Sequence, residues 1–336
     1  MDSIKEKFQK KIESINKEID QIKRIDSLNS KLQKHNWILF HPYNQGFEIG
    51  VLERLVEKEN NEQLEEKIFE IFARKFLNLG YTISITEGFY KKRPFIKDYS
   101  TQIDESIVSC LQKDFSGAIH LLIPVIEGSL RKYLISKYPK KYKHATKISD
   151  LDNAFKEMIK DYMSFNELNL GEETSLFDIN QKKQIFKKEK EYFSLWIKQL
   201  RDYLNNKLYM NTRENSNLKD NFNRHFIFHG LGNVEYTFNN YLRLITCLNY
   251  LSWSFGLIHK NCSLFAEFDD EVFKKKQIEY IKTLIISEVM IETKESIYGK
   301  KVESFKKYMD PILVKHISFY EKFHKKFLKS TERLFK

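Results

Sequence analysis

Apolar residues recur at three- and four-residue spacing along most of this chain. Ile4, Phe8, Ile12, Ile15, Ile19, Ile22, Ile25, Leu28 and Leu32 form one such stripe, with Lys, Glu, Asp and Gln between them. The spacing predicts an amphipathic helix over residues 4–32. Its narrow seam needs a second helix, found either in an intermolecular coiled coil or on the body of the same chain. Residues 36–60 begin irregularly around Pro42 and Gly46 and then predict a short helix. A helix from Glu62 to Leu79 follows, with Gly80 as its stop. The alternation through Tyr81, Thr82, Ile83, Ser84, Ile85 and Thr86 predicts one small strand.

Helical signals resume at Asp104 and predict a segment reaching Tyr138, bent at Pro124 and closed by Pro139. Another helix runs from Ile148 to Asp161, capped by Ser149 or Asp150, before the polar stretch 166–174, which reads as a loop. Residues 181–209 predict a further helix and 211–217 a loop. A short helix from Asn217 to His229 is interrupted by Gly230 and Gly232, and a long apolar helix spans Val234 to His259. Two last helices, at 270–297 and 301–334, are separated by Gly299. No solenoid-type repeat recurs. The fold class read from this pattern is all-α. Residues 1–35 form the N-terminal amphipathic helix, 36–99 a mixed, mainly helical region, 100–260 a central bundle and 261–336 the C-terminal helices.

Composition agrees with long helices, since 27 Phe and 18 Tyr stand against only 11 Gly and 5 Pro in 336 residues. A formal charge of +11 favours a polyanion such as RNA. The 57 basic residues interleave with 46 acidic ones, however, so most of them solvate exposed faces. Lysine groups near 140–143 and 186–190 can touch an RNA backbone, although a solvated face is the default reading. Cys110, Cys247 and Cys262 are far apart and lack a Cys-x-x-Cys pair, which argues against a disulfide framework or zinc knuckle. The N-terminus has no signal-peptide core, and the most apolar stretch, 242–258, is broken by Arg243, Thr246, Asn249 and Ser252. A membrane span needs about 20 apolar residues. A cytoplasmic protein with no membrane partner is expected.

The chemistry concentrates between Asn223 and Gly230, where Arg224, His225 and His229 fall within six residues. A histidine near neutral pKa can move protons, and an arginine can hold developing phosphate charge with its planar fork. Arg224 and His229 are separated by roughly 140° on a regular helix, whereas His225 and His229 share a face. One phosphate reached by both Arg224 and His229 therefore requires the arginine's reach, a distorted helix end or a second copy of the helix. Upstream, Glu127 interrupts an apolar helical face, and an unpaired carboxylate there is costly. A basic partner such as Arg224 or a histidine is expected. Asn223 is grouped with Glu127 as a supporting residue.

An arginine followed after four residues by a histidine, with a polar residue directly after the arginine, resembles the motif of the HEPN ribonuclease superfamily. Ser116 to Arg131 is similar to the helix that packs against the catalytic helix in abortive-infection-like HEPN proteins. The resemblance covers about residues 100–260. It implies a HEPN-like bundle with added N- and C-terminal helices, and dimerisation that apposes two motifs. It also implies metal-independent endoribonuclease activity with no cofactor, leaving 2',3'-cyclic phosphate and 5'-hydroxyl ends. Arg224 would then hold the phosphate, His229 transfer the proton and His225 position or assist. Such proteins serve as toxins or phage-defence effectors, and a regulatory protein partner is compatible with that role. No tyrosine directly follows His229, so the chain does not match HEPN toxins silenced by nucleotidylation at that position.

Other readings of the same residues exist. A His-x-x-x-His pair on a helix can bind zinc, but no Glu follows the first histidine and no third ligand is evident. Arg224 can serve a salt bridge while the histidines cap a helix C-terminus. The chain is then a noncatalytic helical scaffold or sensor that dimerises and binds a protein or nucleotide partner. His120 reads as a core histidine. Phe193, Trp196, Tyr203, Tyr236, Phe238, Tyr241, Trp253 and Phe255 read as core aromatics rather than base-stacking surfaces.

Overall fold

Helices account for all the regular structure among the described residues. The computed structural model describes residues 2–40, 46–57, 61–143, 148–173, 176–210, 222–229, 234–259 and 267–332. Among them are thirteen α-helices and no strand. They are α1 (Asp2–Leu32), α2 (Gly46–Glu57), α3 (Asn61–Leu77), α4 (Leu79–Ile85), α5 (Ser100–Leu111), α6 (Phe115–Lys137) and α7 (Ile148–Glu173). After these come α8 (Ile179–Tyr203), α9 (Arg224–His229), α10 (Phe238–Leu257), α11 (Asp270–Val289), α12 (Ile291–Tyr298) and α13 (Pro311–Glu332). Residues 41–45 and 211–217, like Gly230, Gly232 and Cys262, lie outside the described residues.

The seam of α1 is covered by its own chain. Ile15 and Ile19 pack with Phe177 and Ile185, the latter on α8. Ile22, Ile25, Leu28 and Leu32 join a core that continues to Ile317. A buried polar bridge fixes this docking. Asn29 donates to the Gln199 side chain at 2.8 Å, and the Tyr250 hydroxyl donates to the same oxygen at 2.9 Å, linking α1, α8 and α10. An amphipathic stripe says only that a partner is needed. The buried amides make that partner specific, because leaving them unpaired inside the core would be costly.

Helix α10 lies at the centre, with apolar side chains buried on every side. Phe238 at its start meets Phe69 and Phe76 of α3, Phe115 of α6 and Phe305 of the crossing segment before α13. Helix α6 runs unbroken through Pro124 and packs against α5, α7 and α10. Gly128 permits this packing, since an added Cβ would sit 2.3 Å from the Tyr99 hydroxyl.

Several boundaries differ from the sequence-based expectation. Residues 81–86 are not a strand. Residues 81–85 belong to α4, capped by Asn78, whose side chain accepts from the Tyr81 amide at 3.2 Å, and Thr86 begins the π-helical turn that follows. Gly80 lies inside α4 rather than ending the previous helix. The Ser84 and Thr86 hydroxyls each donate to the carbonyl four residues back, so the polar alternation is absorbed by the helix itself. The segment from Asp104 to Tyr138 is two helices. Lys113 takes a left-handed φ of 65°, and Asp114 restarts the chain by accepting from the Gly117 amide at 2.9 Å. Stretch 166–173 continues α7 rather than looping out, and that helix begins at Ile148, so Ser149 and Asp150 fall within its first turn.

The described part of the motif helix begins at Arg224, with residues 217–221 outside the described residues, and α10 starts at Phe238 behind the Thr237 cap. Residues 270–297 split into α11 and α12 at Met290, and Gly299 closes α12 at a φ of 62°. The last helix waits until Pro311, because residues 301–310 cross the core side through Phe305 and Tyr308.

Candidate active site

Helix α9 is a single short turn held at its start by Asn223. The Asn223 side chain is buried and donates to the carbonyls of Lys207 and Met210 at 3.2 and 3.0 Å. Its oxygen accepts from the His225 amide at 2.8 Å, and its own carbonyl accepts from the Ile227 amide at 3.0 Å. One residue therefore caps α9 and ties it to the segment that follows α8. Phe222 and Ile227 enter the core, which fixes the rotation of the turn.

That rotation separates the two kinds of motif residue. Arg224 points toward α6, where its Nε donates to Oε1 of Glu127 at 2.8 Å. Oε2 of the same carboxylate lies 3.3 Å from Nη2 of Arg131, one turn farther along α6. A single nearly buried carboxylate thus serves two guanidinium groups. Both arginines remain in contact with solvent, with side chains 30 % and 22 % exposed. Among the described residues the Nη groups of Arg224 take no hydrogen-bond partner. A planar fork anchored through Nε presents its outer edge in one orientation, as bidentate phosphate recognition requires.

His225 and His229 stand exposed on the other side of the turn, their ring centroids 4.5 Å apart. No described side chain accepts or donates a hydrogen bond to either ring. Beneath the pair of arginines lies Tyr209, whose buried hydroxyl has no partner among the described residues. Burial and then the nearby Glu127 charge raise its phenol well above the ordinary range, so it stays protonated. Among the described residues, no three His, Cys, Asp or Glu side chains converge as metal ligands do.

The site thus brings Glu127 and Arg224 into contact and places His225 beside His229. Three neighbours were not assigned a role from sequence. Arg131 follows Glu127 by four residues on one helix, a spacing that signals an ion pair. Phe228 lies under the Arg224 guanidinium, 5.4 Å from it. His120, read as a core residue, is half-buried and stacks on Tyr236 with centroids 5.3 Å apart. No local pattern announces the last contact, because its partners are more than a hundred residues apart.

The class defined by this fold and site is an all-α protein with an arginine–histidine turn on its surface, anchored from below by a carboxylate. Set against known proteins, the chain matches no family model, no curated protein and no solved structure. No described helix is long and apolar enough to cross a membrane.

Proposed function

We propose that the chain is a metal-independent endoribonuclease of HEPN type, acting as a toxin or phage-defence effector. The observation that carries this reading is the Glu127-anchored Arg224 beside two exposed, unpartnered imidazoles. The ribose 2'-hydroxyl attacks the adjacent phosphorus, the bond to the 5'-oxygen breaks, and the products are a 2',3'-cyclic phosphate and a 5'-hydroxyl. Arg224 stabilises the charge that develops on the phosphoryl oxygens. His229 moves the proton, and His225 positions the phosphate or shares the proton transfer. Because Arg224 turns inward while the imidazoles turn outward, a homodimer that apposes two α9 turns best supplies both groups to one phosphate. No cofactor is needed for this chemistry.

The test is cleavage of single-stranded RNA by the wild type, Arg224→Ala and His229→Ala, each matched for helicity and melting. Loss of the proton-transfer group or the phosphate cation should slow cleavage by roughly a hundredfold or more. Cleavage of equal rate by all three proteins removes the catalytic assignment. So does a wild type that cuts no RNA.

A protein-binding scaffold is the second reading, and one observation favours it. Ile286 on α11 and Tyr320 and Phe323 on α13 are exposed and line a groove of about 400 Å³. Exposed apolar surface of this kind marks contact sites on soluble proteins. A chain that associates through this groove and cuts no RNA fits the scaffold reading instead.

A further inference from the structure

Phe228 is the exposed ring nearest the motif. It lies four residues after Arg224 and is 39 % exposed, although Ile227 before it is buried. His120 of α6 approaches it edge-on, with centroids 5.8 Å apart. His120 in turn stacks nearly parallel on Tyr236, the ring planes 28° apart. A contact of 2.8 Å between His120 Nδ1 and the Ser116 carbonyl fixes the imidazole. The order across the surface is therefore Arg224, Phe228, His120, Tyr236, drawn from α9, α6 and the segment before α10.

The four groups have complementary uses. A partly exposed aromatic ring accepts the π-face of a base on its solvent side, and the guanidinium that lies over it can accept the phosphate on the same strand. A paired duplex keeps its bases stacked inside, so this arrangement selects single strands, loops and ends. The charge balance points the same way. The Arg224 and Arg131 guanidinium groups meet at Glu127 at the phosphate end of the row, while the exposed Glu235 stands at the far end beside Tyr236. A protein partner is less well served, because one exposed ring flanked by charged groups offers little apolar area next to the about 800 Å² per side of a standard interface.

We propose that Phe228, backed by His120 and Tyr236, stacks a base of single-stranded RNA whose neighbouring phosphate is held by Arg224. This rests on the reading of α9 as an RNA-facing turn, and it does not require that the RNA be cut.

The experiment measures fluorescence anisotropy of a 12-nucleotide single-stranded RNA made uncleavable by 2'-O-methylation. The wild type, Phe228→Leu and Phe228→Tyr are compared, with a hairpin duplex of the same sequence as second probe. Loss of one stacked base weakens binding roughly five- to a hundredfold, so Phe228→Leu should lose that much while Phe228→Tyr stays near wild type. The duplex should bind more weakly and be indifferent to the substitution. Equal binding of the single strand by wild type and Phe228→Leu overturns the proposal. So does self-association that Phe228→Leu abolishes with RNA binding untouched, which would make the ring a protein contact. RNA bound through Phe228 yet never cut leaves the stacking assignment standing and removes only the nuclease. RNA cut by wild type and Phe228→Leu at equal kcat/KM does the reverse, and RNA neither bound nor cut removes both.

Discussion

The Nζ of Lys113 lies 2.5 Å from Oε1 of Glu288, and both side chains are closed off from solvent. Glu288 also accepts from the Ser304 hydroxyl at 2.7 Å and from the Phe305 amide at 2.9 Å. Lys113 sits 3.5 Å above the Phe305 ring. One ion pair thus fastens the C-terminal crossing segment to the turn between α5 and α6. Burial draws the Lys113 ammonium below its ordinary value, against the pull of Glu288.

Removing one partner of this pair should be worse than removing both. Glu288→Ala leaves a buried ammonium alone and should cost about 3–5 kcal/mol of folding stability. Lys113→Met with Glu288→Gln should cost less than the two single changes summed. Urea unfolding of wild type, Lys113→Met, Glu288→Gln and the double variant measures the coupling, and strictly additive costs would show that the pair is not what holds the segment.

Glu127 predicts a different pattern, because its arginines are partly solvated. Glu127→Ala should cost only about 1–3 kcal/mol, screened by water around both guanidinium groups. On the proposed reading its effect on RNA cleavage should be larger than its effect on melting, since Arg224 loses its anchor. Glu127→Gln keeps an acceptor for Nε and should retain more activity than the alanine variant. Alanine and glutamine variants with identical kcat/KM would mean that Glu127 does not orient Arg224.

What was legible in the chain follows from how local each signal is. The helical class came from three- and four-residue spacing that one side of a helix must satisfy. A carboxylate on the apolar face of α6 demanded a cation, and Arg224 supplies it. The α4 segment misled because Tyr81 to Thr86 alternates apolar and hydroxyl side chains with a strand period, while the hydroxyl bonds that fold it as helix are invisible in composition. The break at Lys113 was hidden for a related reason. Its left-handed backbone is compensated by Glu288, 175 residues away. The row from Phe228 to Tyr236 depends on contacts between elements, which spacing within one element cannot report.

The internal seating of α1 is itself open to measurement. Ile22 is fully buried between α1 and the main core, so Ile22→Ala should cost about 2–5 kcal/mol. Phe8→Ala, near the looser end of the same helix, should cost less. Deleting residues 2–32 should expose the α8 face and abolish cooperative unfolding rather than merely change the oligomeric state. A truncated chain that still melts in one sharp transition would place the seam in an intermolecular coil instead.

His259, at the end of α10, gives a pH dependence with a definite sign. Burial first, and then Lys137 and Lys97, hold its imidazole below the ordinary value of 6.5. Its Nδ1 is buried with no partner among the described residues. The unfolded chain therefore takes up a proton near that ordinary value while the folded chain still resists, so the unfolded state binds more protons in the window below it. Stability contributed by neutral His259 is present above this window and is lost as pH falls toward the depressed folded value. His259→Gln removes the titration. Its stability should decline less steeply than wild type between pH 8 and pH 5, whatever constant offset the substitution adds. Chemical denaturation across that range measures the two slopes, and parallel curves would mean that His259 takes up its proton equally in both states.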